Sequence, residues 1–496
     1  MPALSRTPYA ASLILLASGA LRAQLDYAPV GPEVVLNTNF TQIQPTQGPP
    51  INVVGGVFVF RNVTINQGVR VRGVGTNPMI WLVTGNFIVN GELSVDGGDG
   101  AQVWTLNSAN FPVLGGIGGA GGGNGGAGTP SAFQRDQQGQ DGFGPFGALN
   151  VGGGGGLLAC ITGLGRGSGG GGGAFATAGD PFYPTLGGPG TSFQQQVGIG
   201  GQGGDGPSGS PGRAILAGGR AGLIPFLDSN AGNDFFGAAY DFASGRVIQG
   251  ELQTLTGGQG GGGGGDLSHN FSCSLVDPQF ANDASGGGGG GGGGCLVIAA
   301  HGAIVVGPSG RVTANGGNGG GGEQAGSCNK GGGGGGGSGG MLVLASATAI
   351  GLFVKGETYT NNDYDFVLSA DGGVCTTGSF GQPVVAGKYP PNGQSVPPTF
   401  GTNYDSAPLG GFGGMGVIQL ITPFGNNADG TNTRLDDGIL LVRNGNLLFG
   451  AEKQRFLGWR GYPNALGVRV DDNGVPLPNG RRDGDIRPAP ILIPMF

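Results

Sequence analysis

The chain has 496 residues, and its 120 glycines and 32 prolines say more about it than its length does. Such a composition ordinarily signals low complexity. Hydrophobic residues nevertheless make up 37% and charged residues only 11%, which excludes the disorder that comes from high charge and low hydrophobicity; a net charge of −7 with no cluster of lysine or arginine excludes a nucleic-acid binder, since phosphate recognition needs a basic footprint.

Residues 1–23 read as an export signal. Arg6 supplies a short positive region, Ala10 to Leu21 is apolar, and small residues allow cleavage after Ala20 or Ala23. The apolar run is shorter than the roughly 20 residues of a membrane-spanning helix. The expectation is therefore an extracellular or cell-surface protein without a transmembrane span. Five cysteines, Cys160, Cys273, Cys295, Cys328 and Cys375, accompany it. None forms a CxxC pair, which argues against zinc. Disulfides suit the exterior, with one cysteine left free or bonded between chains. Their pairing is open, and buried free thiols are the alternative.

Residues 24–100 form a strand-rich N-terminal region. Val57-Phe58-Val59-Phe60, Asn62-Val63-Thr64-Ile65 and Val69-Arg70-Val71-Arg72 are short, β-branched and broken by glycine or asparagine, as strands are. No long glycine-free segment shows a helical period.

A repeat then joins this region to the next, 101–350. Ile80-Trp-Leu-Val-Thr-Gly85, Phe87-Ile-Val-Asn-Gly91 and Leu93-Ser-Val-Asp-Gly-Gly-Asp-Gly100 return as Leu296-Val-Ile-Ala-Ala-His-Gly302, Ile304-Val-Val-Gly307 and Val312-Thr-Ala-Asn-Gly-Gly-Asn-Gly319. The second copy carries a two-residue insertion at Pro308-Ser309. Met341-Leu-Val-Leu-Ala345 and Val417-Ile-Gln-Leu-Ile421 are partial copies of the first strand. Such a unit buries its apolar face only by stacking on neighbours. The expected fold is therefore all-β, a β-solenoid or related sandwich with almost no α-helix. Glycine and asparagine are expected at its corners for their tolerance of positive φ.

Glycine tracts separate the strand units. Nine consecutive glycines run from Gly286 to Gly294, seven from Gly331 to Gly337 and six from Gly260; runs of five begin at Gly152 and Gly169. One reading makes them flexible linkers. The other makes them three-residue-per-turn helices of the polyglycine II type, inserted in the strand frame and bonded sideways to one another. At about 3.1 Å per residue the nine-residue tract would span roughly 28 Å. Ordering glycine is entropically costly, so a bundle needs fixed ends and a partner for every backbone group. Tracts running straight into strands, as at Gly294-Cys295 and Gly340-Met341, offer such ends and favour the bundle. Residues 351–433 mix loops with a further strand unit. Residues 434–496 form a small C-terminal β region ending in the apolar Ile491–Phe496.

Catalytic chemistry is scarce. The histidines are His269 and His301, no G-x-S-x-G elbow accompanies them, and no phosphate-binding G-x-x-x-x-G-K-[ST] is present. Asp96 and Asp99 are the candidate carboxylate pair for glycoside cleavage, but the second copy places Asn315 and Asn318 there, which reads as turn chemistry. Gly200–Asp205 and Gly261–Asp266 match half of a calcium-binding nonapeptide. Asp471-Asp472-Asn473 and Asp483-Gly484-Asp485 carry oxygen ligands, with acidic surface turns as the alternative. No cofactor is expected.

At Val57–Gly100 and Leu296–Ala345 the chain resembles a loosely defined group of glycine-rich secreted bacterial proteins with parallel β-helix-like, or pectin-lyase-like, coils. The shared signature is a glycine tract, here ending Ser338-Gly339-Gly340, followed by an apolar strand. The packed-glycine idea also has relatives among phage tail-fibre adhesins, glycine-rich antifreeze proteins and certain receptor kinases. The resemblance implies structural or adhesive work at the cell exterior. Surface or matrix polysaccharide, or the chain itself, is the expected partner. A polysaccharide lyase or hydrolase and an ice- or mineral-binding module are the alternatives.

Overall fold

The computed structural model describes residues 25–103, 113–129, 139–149, 152–155, 159–160, 169–176, 219–220, 222–226, 232–241, 245–265, 267–268, 285–322, 324–325, 329–354, 367–373, 410–411, 413–423, 438–450, 453, 457, 486–488 and 490–495. The expected leader, Cys273, Cys328, Cys375, His269 and the candidate calcium carboxylates lie outside them.

The chain opens with β1 (Glu33–Asn37) and a hairpin of β2 (Phe40–Ile43) and β3 (Ile51–Val54). Two coils follow: β4 (Val57–Phe60), β5 (Val63–Ile65) and β6 (Arg70–Val74), then β7 (Met79–Val83), β8 (Phe87–Val89) and β9 (Glu92–Ser94). A long insert carries β10 (Ala159–Cys160), the hairpin of β11 (Ala238–Asp241) and β12 (Arg246–Gln249), and β13 (Leu267–Ser268). The third coil is β14 (Cys295–Ala300), β15 (Ile304–Val306) and β16 (Arg311–Thr313). A second insert with β17 (Gln324–Ala325) and β18 (Asn329–Lys330) leads to β19 (Met341–Ser346), β20 (Ile350–Phe353) and β21 (Leu368–Ser369). The last elements are β22 (Val417–Pro423), β23 (Ile439–Arg443), β24 (Asn446–Leu447), β25 (Ile486–Arg487) and β26 (Ile491–Met495).

Three six-stranded sheets result. The first stacks β4, β7, β14, β19, β22 and β26; the second β5, β8, β15, β20, β23 and β24; the third β1, β6, β9, β16, β21 and β25. Pairing is parallel throughout except between β23 and β24. Successive strands of the chain visit the three sheets in turn, so the architecture is solenoid-like and mostly strand, with α-helix among the described residues only at Gly450 and Lys453. The repeat seen in the sequence is one coil laid on the next: Ile80 faces Val297, Phe87 faces Ile304, and Leu93 faces Val312. Met341–Ala345 and Val417–Ile421 continue the same column. The C-terminal Ile491–Met495 closes the first sheet against β22.

Alternation explains the inner core. Phe58, Phe60, Trp81, Phe87, Leu296, Ile298, Leu342 and Leu344 point inward and are buried. Trp81 stacks on Phe58 at 4.6 Å and meets Phe87 edge-on at 5.6 Å. Burial of each such side chain contributes about 1.5–3 kcal/mol. In the first sheet the outward residues are buried too. Cys295, Val297, Met341, Val343 and Val417 pack against Phe175, Phe235 and Leu252 of the insert. A sheet covered on both faces needs continuous apolar strands, which accounts for Cys295-Leu-Val-Ile-Ala-Ala and Met341-Leu-Val-Leu-Ala. Gln419 breaks the rule with compensation. Its Oε1 accepts the Phe236 N–H at 2.9 Å and its Nε2 donates to the Phe236 carbonyl at 3.1 Å, so the amide acts as a short piece of strand.

The corners depart from expectation. Asn62 and Asn86 do not adopt positive φ; among the described non-glycine residues only Phe146 and Asn444 do. Asparagine serves instead through its side chain. Asn86 N–H donates to Asn62 Oδ1 at 3.0 Å, Ala303 N–H to Asn86 Oδ1 at 2.8 Å, and Asn62 Nδ2 to Asp26 Oδ1 at 2.9 Å. Stacked amides thus tie each coil to the next.

Candidate functional site: the glycine array

The chain leaves the third sheet after β9, β16 and β21 and re-enters the first sheet at β14, β19 and β22. Every glycine segment described here lies between those exits and entries, so the glycine segments rise from one corner of the solenoid. Successive segments mostly run in opposite senses, away from the sheets and back.

Residues 286–294 show how they are joined. Gly288, Gly291 and Gly294 donate their N–H groups to Ala101, Gly98 and Val95; Gly286, Gly289 and Gly292 to Thr129, Gly126 and Gly123; Gly287, Gly290 and Gly293 to Gly332, Gly335 and Ser338, all at 2.6–3.1 Å. Carbonyls of the same segment accept from Gly116 and Gly119, from Gly258, Gly261 and Gly264, and from Gly317 and Gly320. Each direction recurs every third residue, and no bond runs within the segment. The segment is ringed on every side: by 95–101, 113–119, 122–129, 257–265, 314–322 and 331–340. Residues 257–265 and 331–340 are ringed in the same way by their own surroundings. The lattice is hexagonal, and the three interior segments hold the three longest glycine runs.

That coincidence has a steric cause. A Cβ on Gly287, Gly289 or Gly290 would overlap the carbonyls of Gly320, Gly261 and Gly317. Nothing in these glycines is a matter of left-handed φ; only Gly121, the turn between 113–120 and 122–129, has φ of +78°. Perimeter segments meet the lattice on fewer sides, and three of them carry a side chain at every third position. Ile117 and Ala120, Asn124 and Ala127, and Asp96 and Asp99 follow this spacing. Leu114, Ile117, Asp99, Asn124 and Gln140 are exposed.

The Asp96-Gly-Gly-Asp99-Gly stretch is therefore not a corner, as its composition suggested, but the start of a lattice segment. Gly97 and Gly100 donate to the carbonyls of Asn315 and Asn318, and Gly98 donates to Ile117. Both carboxylates act on the coil above: Asp96 accepts Asn315 N–H and, at 3.1 Å, Thr313 Oγ1, while Asp99 accepts Asn318 N–H at 2.7 Å. Asn315 repeats the arrangement, its Oδ1 accepting Asp371 N–H at 2.9 Å.

Of the singled-out glycines, Gly152, Gly169, Gly260, Gly286, Gly294, Gly331 and Gly337 all lie in the array. Two polar residues of the interior have a role that the sequence did not reveal. Gln259 and Ser338 are buried, and Gln259 N–H donates to Ser338 Oγ at 2.8 Å. The Gln259 amide spans 169–174 and 222–226, accepting Ala174 N–H at 3.3 Å and donating to the Leu223 carbonyl at 2.5 Å. The signal that exposes them is an interruption at an interior position of the three-residue period.

Cys295 is a free thiol, buried where the array joins β14, and burial pushes its pKa well above the ordinary thiol range. Cys160 lies in β10, beside Ser268. His301 is exposed in the corner after β14, its N–H donating to the Val83 carbonyl at 2.8 Å. No group of histidine, cysteine and carboxylate residues suited to a metal ion occurs among the described residues, and no described helix is long and apolar enough to cross a membrane. No protein-family model, curated protein or solved structure matches the chain.

Proposed function

We propose that this chain is an exported structural or adhesive protein of the cell surface, in which a β-solenoid frame holds a rigid slab of polyglycine II-type helices. One observation carries the reading: residues 257–265, 286–294 and 331–340 are each enclosed by other segments and bonded to them at every third residue. A threefold repeat without internal bonds is the geometry of an extended polyproline-type helix. Lateral bonding offsets the entropy that keeps glycine chains open in water. The slab is almost without charge and gives the chain a stiff platform, suited to holding or spacing surface polymers. Surface polysaccharide or a further copy of the chain is the partner this reading names.

Asp96 and Asp99, the carboxylate pair of the polysaccharide-cleaving alternative, serve as acceptors for backbone N–H groups. The test has two arms. Hydrogen exchange on the mature protein should find 286–294 protected as strongly as 295–300; rapid exchange there defeats the slab. Protease shaving of intact host cells and sedimentation with purified envelope polysaccharide should place the protein on the surface. Recovery from the cytosol alone defeats the export and adhesion reading.

A further inference from the structure

We infer that Asn444 is a site of spontaneous chemical modification, where the side-chain amide is lost through a cyclic imide. The reaction needs the backbone nitrogen of the following residue at the asparagine Cγ, and glycine leaves that nitrogen unshielded. Among the described residues asparagine precedes glycine at 90, 124, 315, 318 and 444.

The first three are locked at the attacking nitrogen, and Asn318 is anchored beside them. Gly91, Gly125 and Gly316 commit their N–H groups to the carbonyls of Ile65, Gly116 and Asp371 at 3.1, 2.8 and 2.8 Å. Asn124 Oδ1 accepts Gly118 N–H at 2.9 Å, Asn315 is buried, and Asn318 N–H is held by Asp99. Freeing the nitrogen of Gly91, Gly125 or Gly316 means opening a coil or the lattice.

Asn444 and Gly445 are the two residues of the turn between β23 and β24, with Arg443 facing Asn446 across it. Their φ values, +51° and +80°, are those of a type I′ turn. Residues 444–447 are exposed, and the Gly445 N–H donates to no backbone acceptor among the described residues.

The step is balanced by solvent. Gly445 nitrogen gives its proton to hydroxide and attacks Asn444 Cγ; the new C–N bond closes a five-membered ring, the Cγ–Nδ2 bond breaks, and ammonia leaves with a proton from water. A water molecule then opens the ring at either carbonyl, giving aspartate or isoaspartate. Isoaspartate routes the main chain through the side-chain carbon, which a two-residue turn does not accommodate, so β24 should detach from β23.

Purified mature protein held in mildly alkaline buffer, sampled over time by peptide mapping and by methyl transfer with an isoaspartate methyltransferase, tests this. Position 444 should convert first while Asn90, Asn124 and Asn315 remain amides, and the same incubation in urea should erase the difference. Conversion of Asn124 or Asn315 as fast as Asn444 in the folded protein, or an Asn444 that converts only in urea, overturns the assignment.

Discussion

The carboxylate of Asp96 accepts the backbone N–H of Asn315, the residue standing at the same place one coil further on. The bond links the exits of two glycine segments from the third sheet, and Asn315 passes the same tie to Asp371. Replacing Asp96 by alanine leaves a partly buried N–H without its acceptor, at a cost of about 2 kcal/mol. Asp96→Asn keeps an oxygen in place, as Asn315 itself does, and should cost less than about 1 kcal/mol. Urea unfolding of the two variants measures the difference. Equal losses would mean that the charge, not the acceptor, holds the joint.

The same residue shows what was legible in the sequence. The repeat from Ile80 to Gly100 and from Leu296 to Gly319 placed its strands correctly, because inward-facing apolar residues recur where coils stack. The Asp/Asn alternation was also visible and argued against catalysis. Its location was misread. Asp-Gly-Gly-Asp-Gly resembles turn chemistry when each residue is read alone, and the three-residue period emerges only when Asp96–Gly100, Gly115–Ala120 and Gly122–Gly128 are set side by side. The outer core was hidden for another reason. Phe175, Phe235 and Leu252 sit in the insert, far in sequence from the first sheet they cover, and no local pattern reports that contact.

Cys295 yields a prediction about reactivity. Its thiol is buried in the outer core beside Met341 and Val343, and the raised pKa leaves almost no thiolate at neutral pH. Iodoacetamide should leave residue 295 unmodified in the native protein and modify it fully in denaturant, as mapped by mass spectrometry. Prompt labelling of the native protein would show that the junction of array and sheet opens.

Acid should loosen the N-terminal end of the solenoid first. Asp26 accepts Arg61 Nε at 2.9 Å and Asn62 Nδ2 at 2.9 Å. The hydrogen bond from Arg61 is the main cause that lowers its pKa from 3.8 to about 2. A lowered folded pKa means that this stabilisation is complete above the unfolded value and disappears as pH falls from about 4 to 2. The pair is substantially exposed, so solvent screening keeps its share small. Stability measured across this range should fall less steeply in Asp26→Asn than in the parent chain.

Two glycines separate the lattice argument from simple glycine flexibility. Gly290 lies in the interior, donating to the Gly335 carbonyl, and a Cβ there would overlap the Gly317 carbonyl. Gly98 lies on the perimeter, where an added Cβ finds the Ile117 carbonyl at 3.3 Å and no closer heavy atom. Alanine reduces the freedom of the unfolded chain at both positions, which favours folding by about 0.4–1 kcal/mol where the native site accepts it. At Gly98 that gain should roughly offset the tight contact, keeping Gly98→Ala within about 1 kcal/mol of the parent. At Gly290 backbone on every side prevents relaxation, so overpacking should dominate and cost about 3 kcal/mol or more. Thermal unfolding of the two variants gives the ordering directly. If Gly290→Ala were tolerated as well as Gly98→Ala, the interior segments would not be in lateral contact, and the explanation of their long glycine runs would have to be abandoned.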